Sequence, residues 1–215
     1  MKRSEFIENW RKARQYTPQQ LEHARTVLEE VRAGIRLDRA LRSNPMPDGS
    51  LIPKHALVAA YRDLVARGEW AEDNEFLTHI RMKPMRTLSG VTTVTVLTKK
   101  APCPGNCIFC PTEPGMPKSY LVDEPGAARA AQNFFDPYDQ VSSRLKEYVA
   151  VGHPNDKIEL LVLGGSWSCY PRPYQEWFIR RCFHAMNEDS TQPQPDLENI
   201  EEPAAIAETS IDLTR

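Results

Sequence analysis

One segment, APCPGNCIFCPTEPGMP at residues 101–117, constrains the fold more than any other part of this sequence. It places five prolines and two glycines within seventeen residues. Because proline lacks a backbone N–H and fixes φ, such a stretch cannot continue a regular helix or a central strand. The preceding residues 91–98, VTTVTVLT, are rich in β-branched side chains and predict a strand. The sequence therefore predicts a strand that runs into a long, bent loop carrying three cysteines.

The residues after this loop predict an alternation of helices with one further strand. Helices are predicted over 124–133, 138–151 and 173–187, and KIELLVLGG at 157–165 is a nearly unbroken apolar run. Such a run is typical of a strand buried on both faces of a parallel sheet. The order of elements predicts an α/β fold that begins a barrel or an open sheet. Since two strands cannot close a barrel of six or eight, we interpret the chain as one section of a longer protein.

The first third of the chain predicts a small helical module. Residues 4–15 and 18–33 have helical periodicity, and a short helix is predicted over 35–42. A fourth helix begins near Pro53 and ends at Gly68, because glycine is the usual residue just after a helix. No strand pattern interrupts this region, so we expect it to fold from helices alone.

Charge is distributed unevenly along the chain. Residues 1–102 contain 18 basic and 12 acidic side chains, whereas residues 188–215 contain one basic and eight acidic side chains. A basic excess favours attraction to a polyanion such as nucleic acid, although many solvated helices also carry one. The acidic final segment has three prolines and no glycine or aromatic residue. That composition is typical of a disordered tail or a mobile insertion.

The expected cellular location follows from the apolar runs and the cysteines. No stretch approaches the roughly 18 consecutive apolar residues of a membrane-spanning helix, and MKRSEFIENW lacks the apolar run of a secretory signal. Three of the five cysteines lie within eight residues, an arrangement more typical of a metal site than of disulfides. We therefore expect a cytoplasmic protein with reduced thiols and no membrane contact.

The cysteine spacing predicts a metal site with an open position. Cys103, Cys107 and Cys110 place three thiols within reach of one small iron–sulfur cube, which four thiolates normally hold. One iron is then left without a local ligand and can bind a cofactor. Two alternatives stay open: a structural zinc site completed by Cys169, Cys182 or a histidine, and a redox dithiol formed by Cys107 and Cys110. For Cys169 and Cys182 themselves we expect a packing role.

A cysteine triplet with this spacing, placed after the first strand of an α/β fold, resembles the motif of the radical S-adenosylmethionine superfamily. The resemblance implies a 4Fe-4S cluster that binds S-adenosylmethionine and cleaves it to a 5′-deoxyadenosyl radical. It also implies that Phe109 lies near the adenine. Gly164, Gly165 and Ser166, after the second strand, match the glycine pair whose backbone meets the methionine amino group.

A longer resemblance covers most of residues 83–187. It comprises KPMRTLSGVTTVTVLTK at 83–99, CPGNCIFCP at 103–111, KSYLVDEPGAARAAQNFFDPYDQV at 118–141, GHPNDKIELLVLGGSW at 152–167 and YQEWFIRRCFHAMN at 174–187. These stretches resemble the catalytic subunit of the Elongator complex and its bacterial and archaeal homologues. The family implies a tRNA-modifying enzyme that attaches a carboxymethyl-type group to carbon 5 of the wobble uridine and draws the carbon unit from acetyl-CoA.

The same resemblance implies a division of the chain into three parts. Residues 1–82 correspond to a basic, helical tRNA-binding region, residues 83–187 to the start of the radical barrel, and residues 188–215 to an acidic tail or insertion. The rest of the barrel and the acetyltransferase-like domain are not in this sequence. We therefore do not expect the chain alone to complete the reaction, and the implied partners are tRNA and a homodimer or an Elongator-type assembly.

Four basic side chains near the cysteine loop are candidates for contacts with the tRNA backbone or the cofactor. They are Lys83, Arg86, Lys99 and Lys100, and the alternative for each is solvated surface charge. Two other functions also stay open. The chain is then either a non-catalytic tRNA-binding module or a different radical S-adenosylmethionine enzyme that acts on a small molecule.

Overall fold

The computed structural model describes residues 15–188 and Pro203, and the chain divides into two compact units. Among the described residues, the first unit spans 15–92 and 146–158, and the second spans 93–145 and 159–188. The predicted helix over 4–15 lies outside the described residues except for residue 15, and the predicted acidic tail over 188–215 does so except for Glu188 and Pro203. None of the described helices is both long and apolar enough to cross a membrane.

Among its described residues, the first unit contains four complete α-helices, three of which the sequence predicts. They are α1 (Pro18–Arg32), α2 (Leu37–Ser43), α3 (Lys54–Ala66) and α4 (Asn74–Ile80). A capping box starts α1, where the Thr17 hydroxyl accepts from the Gln20 N–H at 3.2 Å and the Gln20 side chain accepts from the Thr17 N–H at 2.9 Å. Gly34 and Gly68 follow the ends of α1 and α3, and their positive φ angles of 94° and 71° turn the chain out of each helix. The buried side chains of these helices form one core.

Helix α4 was absent from the sequence-based prediction. Its start is set by Asp73, whose carboxylate accepts from the backbone N–H groups of Glu75 at 3.0 Å and Phe76 at 2.9 Å. The helix has only seven residues, and of these only Ile80 is fully buried. A helix this short carries less than two turns of apolar periodicity, so tertiary packing rather than pattern decides it.

The remaining elements alternate as the sequence predicts. They are β1 (Thr92–Leu97), α5 (Pro125–Gln132), α6 (Pro137–Ala150), β2 (Ile158–Leu163) and α7 (Arg172–Met186). The strands form a two-stranded parallel sheet, in which the Thr92 N–H donates to the Lys157 carbonyl at 2.8 Å and the Thr98 N–H donates to the Leu163 carbonyl at 2.9 Å. The mixed α/β class is thereby confirmed, while the barrel stays a prediction.

Strand β2 is not buried on both faces, so that prediction is wrong for this structure. Along the strand, half-buried positions alternate with the exposed residues Glu159 and Leu161, and Leu161 is 41% exposed. Successive side chains of a strand point to opposite faces, so Glu159 and Leu161 lie together on the more exposed face. On that face the Thr93 hydroxyl donates to the Glu159 carboxylate at 3.0 Å.

A side-chain amide occupies the edge of β1. Gln140 of α6 accepts the Leu97 N–H at 2.8 Å and donates to the Leu97 carbonyl at 3.0 Å. Both backbone groups of this residue are therefore satisfied by one amide, as a neighbouring strand would satisfy them. Gln140 is 5% exposed, so the pair of bonds is shielded from water.

Candidate functional site

The cysteine loop has no helix or strand between Thr98 and Glu124, which confirms the prediction for 101–117. Its far end is anchored by Met116, which is buried against Leu97 in a small core that also contains Ala127 and Ala130. The tip is open to solvent, and both of its apolar side chains, Ile108 and Phe109, are 90% exposed. The loop is thus anchored by Met116 and exposed at its tip, around Cys107, Ile108 and Phe109.

All three loop cysteines are free thiols. Cys103 and Cys110 are half-buried and Cys107 is exposed. A Cβ built on Gly105 would lie 3.4 Å from the Cys107 sulfur and 3.8 Å from the Cys103 sulfur, so these two thiols flank the space that a side chain would fill. Within residues 15–188, however, no three cysteine, histidine or acidic side chains are gathered closely enough to hold a metal ion. The ligand types are present on one loop, and the loop must close further before three of them can bind together.

The Cys103 thiol is placed among hydrogen-bond donors. Its pKa is lowered, chiefly by a hydrogen bond from the Gly105 backbone N–H, against an opposing effect of burial. The hydroxyl and the backbone N–H of Ser166 also donate to this sulfur, and the Lys118 ammonium adds a favourable charge. Since the thiolate is the form that binds metals, these donors prepare Cys103 as a ligand.

The hydrogen bonds to Ser166 join the two loops that the sequence assigns to one site. Cys103 follows β1 and Ser166 follows β2, and the carboxyl ends of parallel strands meet at one edge of a sheet. Gly164 makes the approach possible, because a Cβ at this position would lie 1.9 Å from the Thr98 Oγ1. Its φ of 152° also favours glycine. The structure thus brings Cys103 and the Gly164-Gly165-Ser166 turn together.

A tyrosine that the sequence-based prediction did not include lies beneath this turn. The Tyr170 hydroxyl lies 2.6 Å from the Thr98 Oγ1 and donates to the Lys99 carbonyl at 3.0 Å. Nearby, the Tyr174 hydroxyl accepts the Lys99 N–H at 3.0 Å. The aromatic run WSCYPRPYQEW after the glycine pair is a signal for packing, but it does not indicate which ring meets the strand end.

The two cysteines outside the loop do not join it. Cys182 is fully buried in α7, and burial raises its pKa to about 12. The prediction of a packing role for Cys182 is therefore confirmed. Cys169 is half-buried in a short turn at Trp167–Cys169. Neither cysteine completes a group of three metal ligands in the described part of the chain.

The four basic candidates fall into different units. Lys83 and Arg86 belong to the first unit and are exposed around the turn Pro84–Thr87, where the Arg86 guanidinium lies 5.9 Å from the Tyr148 ring. Lys99 and Lys100 belong to the second unit and follow β1. Lys100 is exposed, whereas the Lys99 ammonium lies 6.0 Å from the Trp177 ring.

A second set of basic residues, on α2 and at its start, was not singled out from the sequence. Arg36, Arg39 and Arg42 recur every three residues and are all exposed. The same helix buries three apolar side chains in the core of the first unit, namely Leu37, Ala40 and Leu41. Arg36 pairs with Asp38 at 3.1 Å. The remaining arginines present positive charge on the outer side of this short helix.

Comparison with known proteins finds relatives that include tRNA uridine(34) acetyltransferases and Elongator complex protein 3. The chain is 44% identical over 131 residues to a tRNA uridine(34) acetyltransferase of Methanocaldococcus infernus, covering 58% of this chain and 24% of the relative. It is 45% identical over 105 residues to the enzyme of that name from Dehalococcoides mccartyi, covering 49% and 23%. Elongator complex protein 3 of Drosophila melanogaster is 34% identical over 140 residues, covering 60% and 25%. The chain thus spans about a quarter of the length of these relatives. No protein-family model matches it.

Proposed function

Because this chain is homologous over about half its length to Elongator complex protein 3 and the tRNA uridine(34) acetyltransferases, we propose that it acts in tRNA modification at uridine 34. The modification is the attachment of a carboxymethyl-type group to carbon 5, with acetyl-CoA as the carbon source. One structural observation supports this assignment above the others. Cys103 after β1 and Ser166 after β2 meet through hydrogen bonds at the edge where a cofactor of this chemistry would bind.

The loop supplies thiol side chains, which are the usual ligands of an iron–sulfur cluster. Three thiols lie on one loop, two of them flank the open space beside Gly105, and Cys103 has donors that favour its thiolate. We assign Cys103, Cys107 and Cys110 as the protein ligands of a 4Fe-4S cluster. When bound and reduced, such a cluster supplies the electron that cleaves S-adenosylmethionine.

The chain's own residues then have separate tasks. Ser166 and Gly105 hold the Cys103 sulfur through their donors, and Lys118 offsets its negative charge. Gly164 and Gly165 are half-buried, and because they carry no Cβ their backbone allows a ligand to approach closely. Phe109, exposed at the loop tip, is free of packing that would prevent its ring from stacking on an adenine.

The exposed arginines and lysines of the first unit are proposed to contact tRNA phosphates. Arg39 and Arg42 lie outward on α2, and Lys83 and Arg86 lie beside the turn Pro84–Thr87. Phosphate contacts of this kind carry affinity without sequence preference and weaken as salt is raised. Lys99 is a weaker candidate, because its ammonium lies against the Trp177 ring.

Anaerobic reconstitution tests the cluster assignment. We expect about four irons per chain and an electron-paramagnetic signal that changes when S-adenosylmethionine is added. Cys103→Ala should lose the iron, whereas the matched control Cys169→Ala, a half-buried cysteine outside the loop, should retain it. A colourless protein that binds zinc instead of iron under these conditions contradicts the assignment.

A non-catalytic tRNA-binding module is the second candidate, favoured by the exposed arginines of α2. It predicts that replacing all three loop cysteines with alanine leaves tRNA binding and every other measurable function intact. A radical enzyme acting on a small molecule predicts the reverse pattern. In that case the cluster forms, but tRNA neither binds in a salt-dependent manner nor is modified.

A further inference from the structure

We propose that Tyr170 is a positioning residue for the cysteine loop. Its hydroxyl joins the end of β1 to the glycine pair after β2 and thereby sets where the Gly164-Gly165-Ser166 turn lies relative to the start of the cysteine loop. The role of Tyr170 in the reaction rests on the proposed function. The contacts themselves are a property of the fold and can be tested without any metal.

The Tyr170 hydroxyl is buried at the end of β1. The side chain is 4% exposed, and its oxygen lies 2.6 Å from the Thr98 Oγ1 and 3.0 Å from the Lys99 carbonyl that accepts its proton. Thr98 is 1% exposed, so water does not compete for these bonds. The ring is therefore attached to two consecutive residues at the point where the strand becomes the cysteine loop.

The same hydroxyl lies against the backbone of both glycines. A Cβ built on Gly164 would lie 3.3 Å from the Tyr170 oxygen, and one built on Gly165 would lie 3.8 Å from it. Burial raises the pKa of the Tyr170 hydroxyl, and a hydrogen bond from the Gly165 backbone acts in the opposite direction. One oxygen, from a residue 72 positions after Thr98 in the chain, thus lies against both the end of β1 and the glycine pair that follows β2.

Ser166 extends the connection to the thiol. It is the residue after Gly165, and hydrogen bonds from its hydroxyl and its backbone N–H are among the causes that lower the pKa of the Cys103 thiol. A displacement of the glycine turn therefore moves both donors away from Cys103. The sequence of contacts runs from Thr98 through the Tyr170 hydroxyl and Gly165 to Ser166 and the thiol.

Aromatic packing holds the Tyr170 ring independently of its hydroxyl. The ring stacks on Tyr174 with centroids 5.3 Å apart and planes at 20°, and it lies 5.9 Å from the Trp167 ring. The Tyr170 carbonyl also accepts from the Gln175 side chain at 2.8 Å. Tyr170→Phe should therefore remove the hydroxyl contacts while leaving the ring in place.

Tyr174 offers a matched control. It is also buried, and its hydroxyl accepts the Lys99 N–H at 3.0 Å at the same strand end. Apart from the chain neighbours of Gly165, however, the Tyr170 hydroxyl is the only described atom within 4 Å of the Cβ position of Gly165. Tyr174→Phe therefore removes a buried hydroxyl from the same ring stack without touching the glycine turn.

Amide hydrogen exchange on the full, metal-free chain is the first measurement. Tyr170→Phe should raise the exchange rates at Gly165 and Ser166 about tenfold, the value expected for one lost hydrogen bond. Tyr174→Phe should leave these two amides within about twofold of wild type and raise exchange at Lys99 instead. Unchanged exchange at Gly165 and Ser166 in Tyr170→Phe overturns the inference.

The reconstituted protein gives the second measurement. Tyr170→Phe should bind as much iron as wild type but show an altered electron-paramagnetic line shape and a smaller response to S-adenosylmethionine, whereas Tyr174→Phe should match wild type. Spectra of Tyr170→Phe that equal those of wild type overturn the positioning role. If wild type itself binds no iron, the proposed function fails. Hydrogen exchange then still tests whether the Tyr170 hydroxyl holds the glycine turn.

A second variant keeps the test decisive if Tyr170→Phe does not fold. Thr98→Val removes the hydroxyl that Tyr170 contacts and nearly preserves the side-chain shape. It should raise exchange at the same two amides, and Thr98→Ser, which restores a hydroxyl, should return them towards wild type. Exchange at Gly165 and Ser166 that is the same in Thr98→Val and Thr98→Ser overturns the inference.

Discussion

The core of the helical unit and the small core beneath the cysteine loop are stabilised in different ways. Fifteen buried apolar residues between Ala24 and Ile80 pack together in the first, so removal of apolar surface from water is the main interaction that stabilises it. The second has four, Leu97, Met116, Ala127 and Ala130, and depends also on polar contacts of Gln140 and Tyr170. A region held by few apolar contacts and several directional bonds can adjust its loop to a ligand while its anchors stay in place.

The largest effect should come from the helical core. Leu57 is fully buried in α3, so Leu57→Ala should lower the free energy of unfolding by about 2–5 kcal/mol through lost burial and the cavity left behind. Leu51, which is 55% exposed, provides the control, because Leu51→Ala should change stability by less than about 0.5 kcal/mol. Urea denaturation followed by circular dichroism measures both. Equal effects of the two substitutions would contradict a closed core in this unit.

A glycine tests whether the loop region depends on close backbone approach. Gly164→Ala places a Cβ 1.9 Å from the Thr98 Oγ1 and keeps a backbone angle that alanine rarely adopts, so we expect a loss of roughly 1–3 kcal/mol. Iron uptake on reconstitution should fall as well. Gly126→Ala in α5 is the control, since a Cβ there meets nothing within 4 Å. Wild-type stability of Gly164→Ala would show that the glycine turn is not held against β1.

The helical unit should also show a smaller, salt-dependent effect on tRNA binding. Removing both charges in Arg39→Ala/Arg42→Ala should weaken affinity severalfold and lower the slope of log affinity against log salt by up to about 2. The control is Arg67→Ala, because Arg67 pairs with Asp63 at 2.7 Å. Filter binding across a salt series gives both slopes. A double variant whose slope equals that of Arg67→Ala would remove α2 from the proposed tRNA surface.

The smallest expected effect is a change in thiol reactivity. The donors around Cys103 lower its pKa, and since the thiolate is the nucleophile, Cys103 should react with iodoacetamide at lower pH than an ordinary thiol. Ser166→Ala removes one donor and should move this profile to higher pH, while Ser119→Ala on the same loop should not. Mass spectrometry of alkylated peptides across pH measures the shift. Identical pH profiles for Ser166→Ala and wild type would show that Ser166 does not influence the reactivity of Cys103.

Much of the fold could be predicted because its signals are local. Pro18 after Thr17 marks the start of α1, Gly34 and Gly68 follow the ends of two helices, and the prolines of 101–117 exclude regular structure. Each signal acts through the conformation of one or two residues. Helix α4 and the exposure of Leu161 could not be predicted from local signals, because they depend on which residues lie nearby in space.

The same distinction between local signals and tertiary contacts applies to the candidate site. The sequence by itself determined the cysteine loop, its position after a strand, and the glycine pair after the next parallel strand, since spacing and strand order specify all three. Only the tertiary structure decided that Gln140 closes the edge of β1 and that Tyr170 joins two strand ends. These contacts span 43 and 72 residues, and a hydrogen bond between such distant residues leaves no periodic signal in the chain.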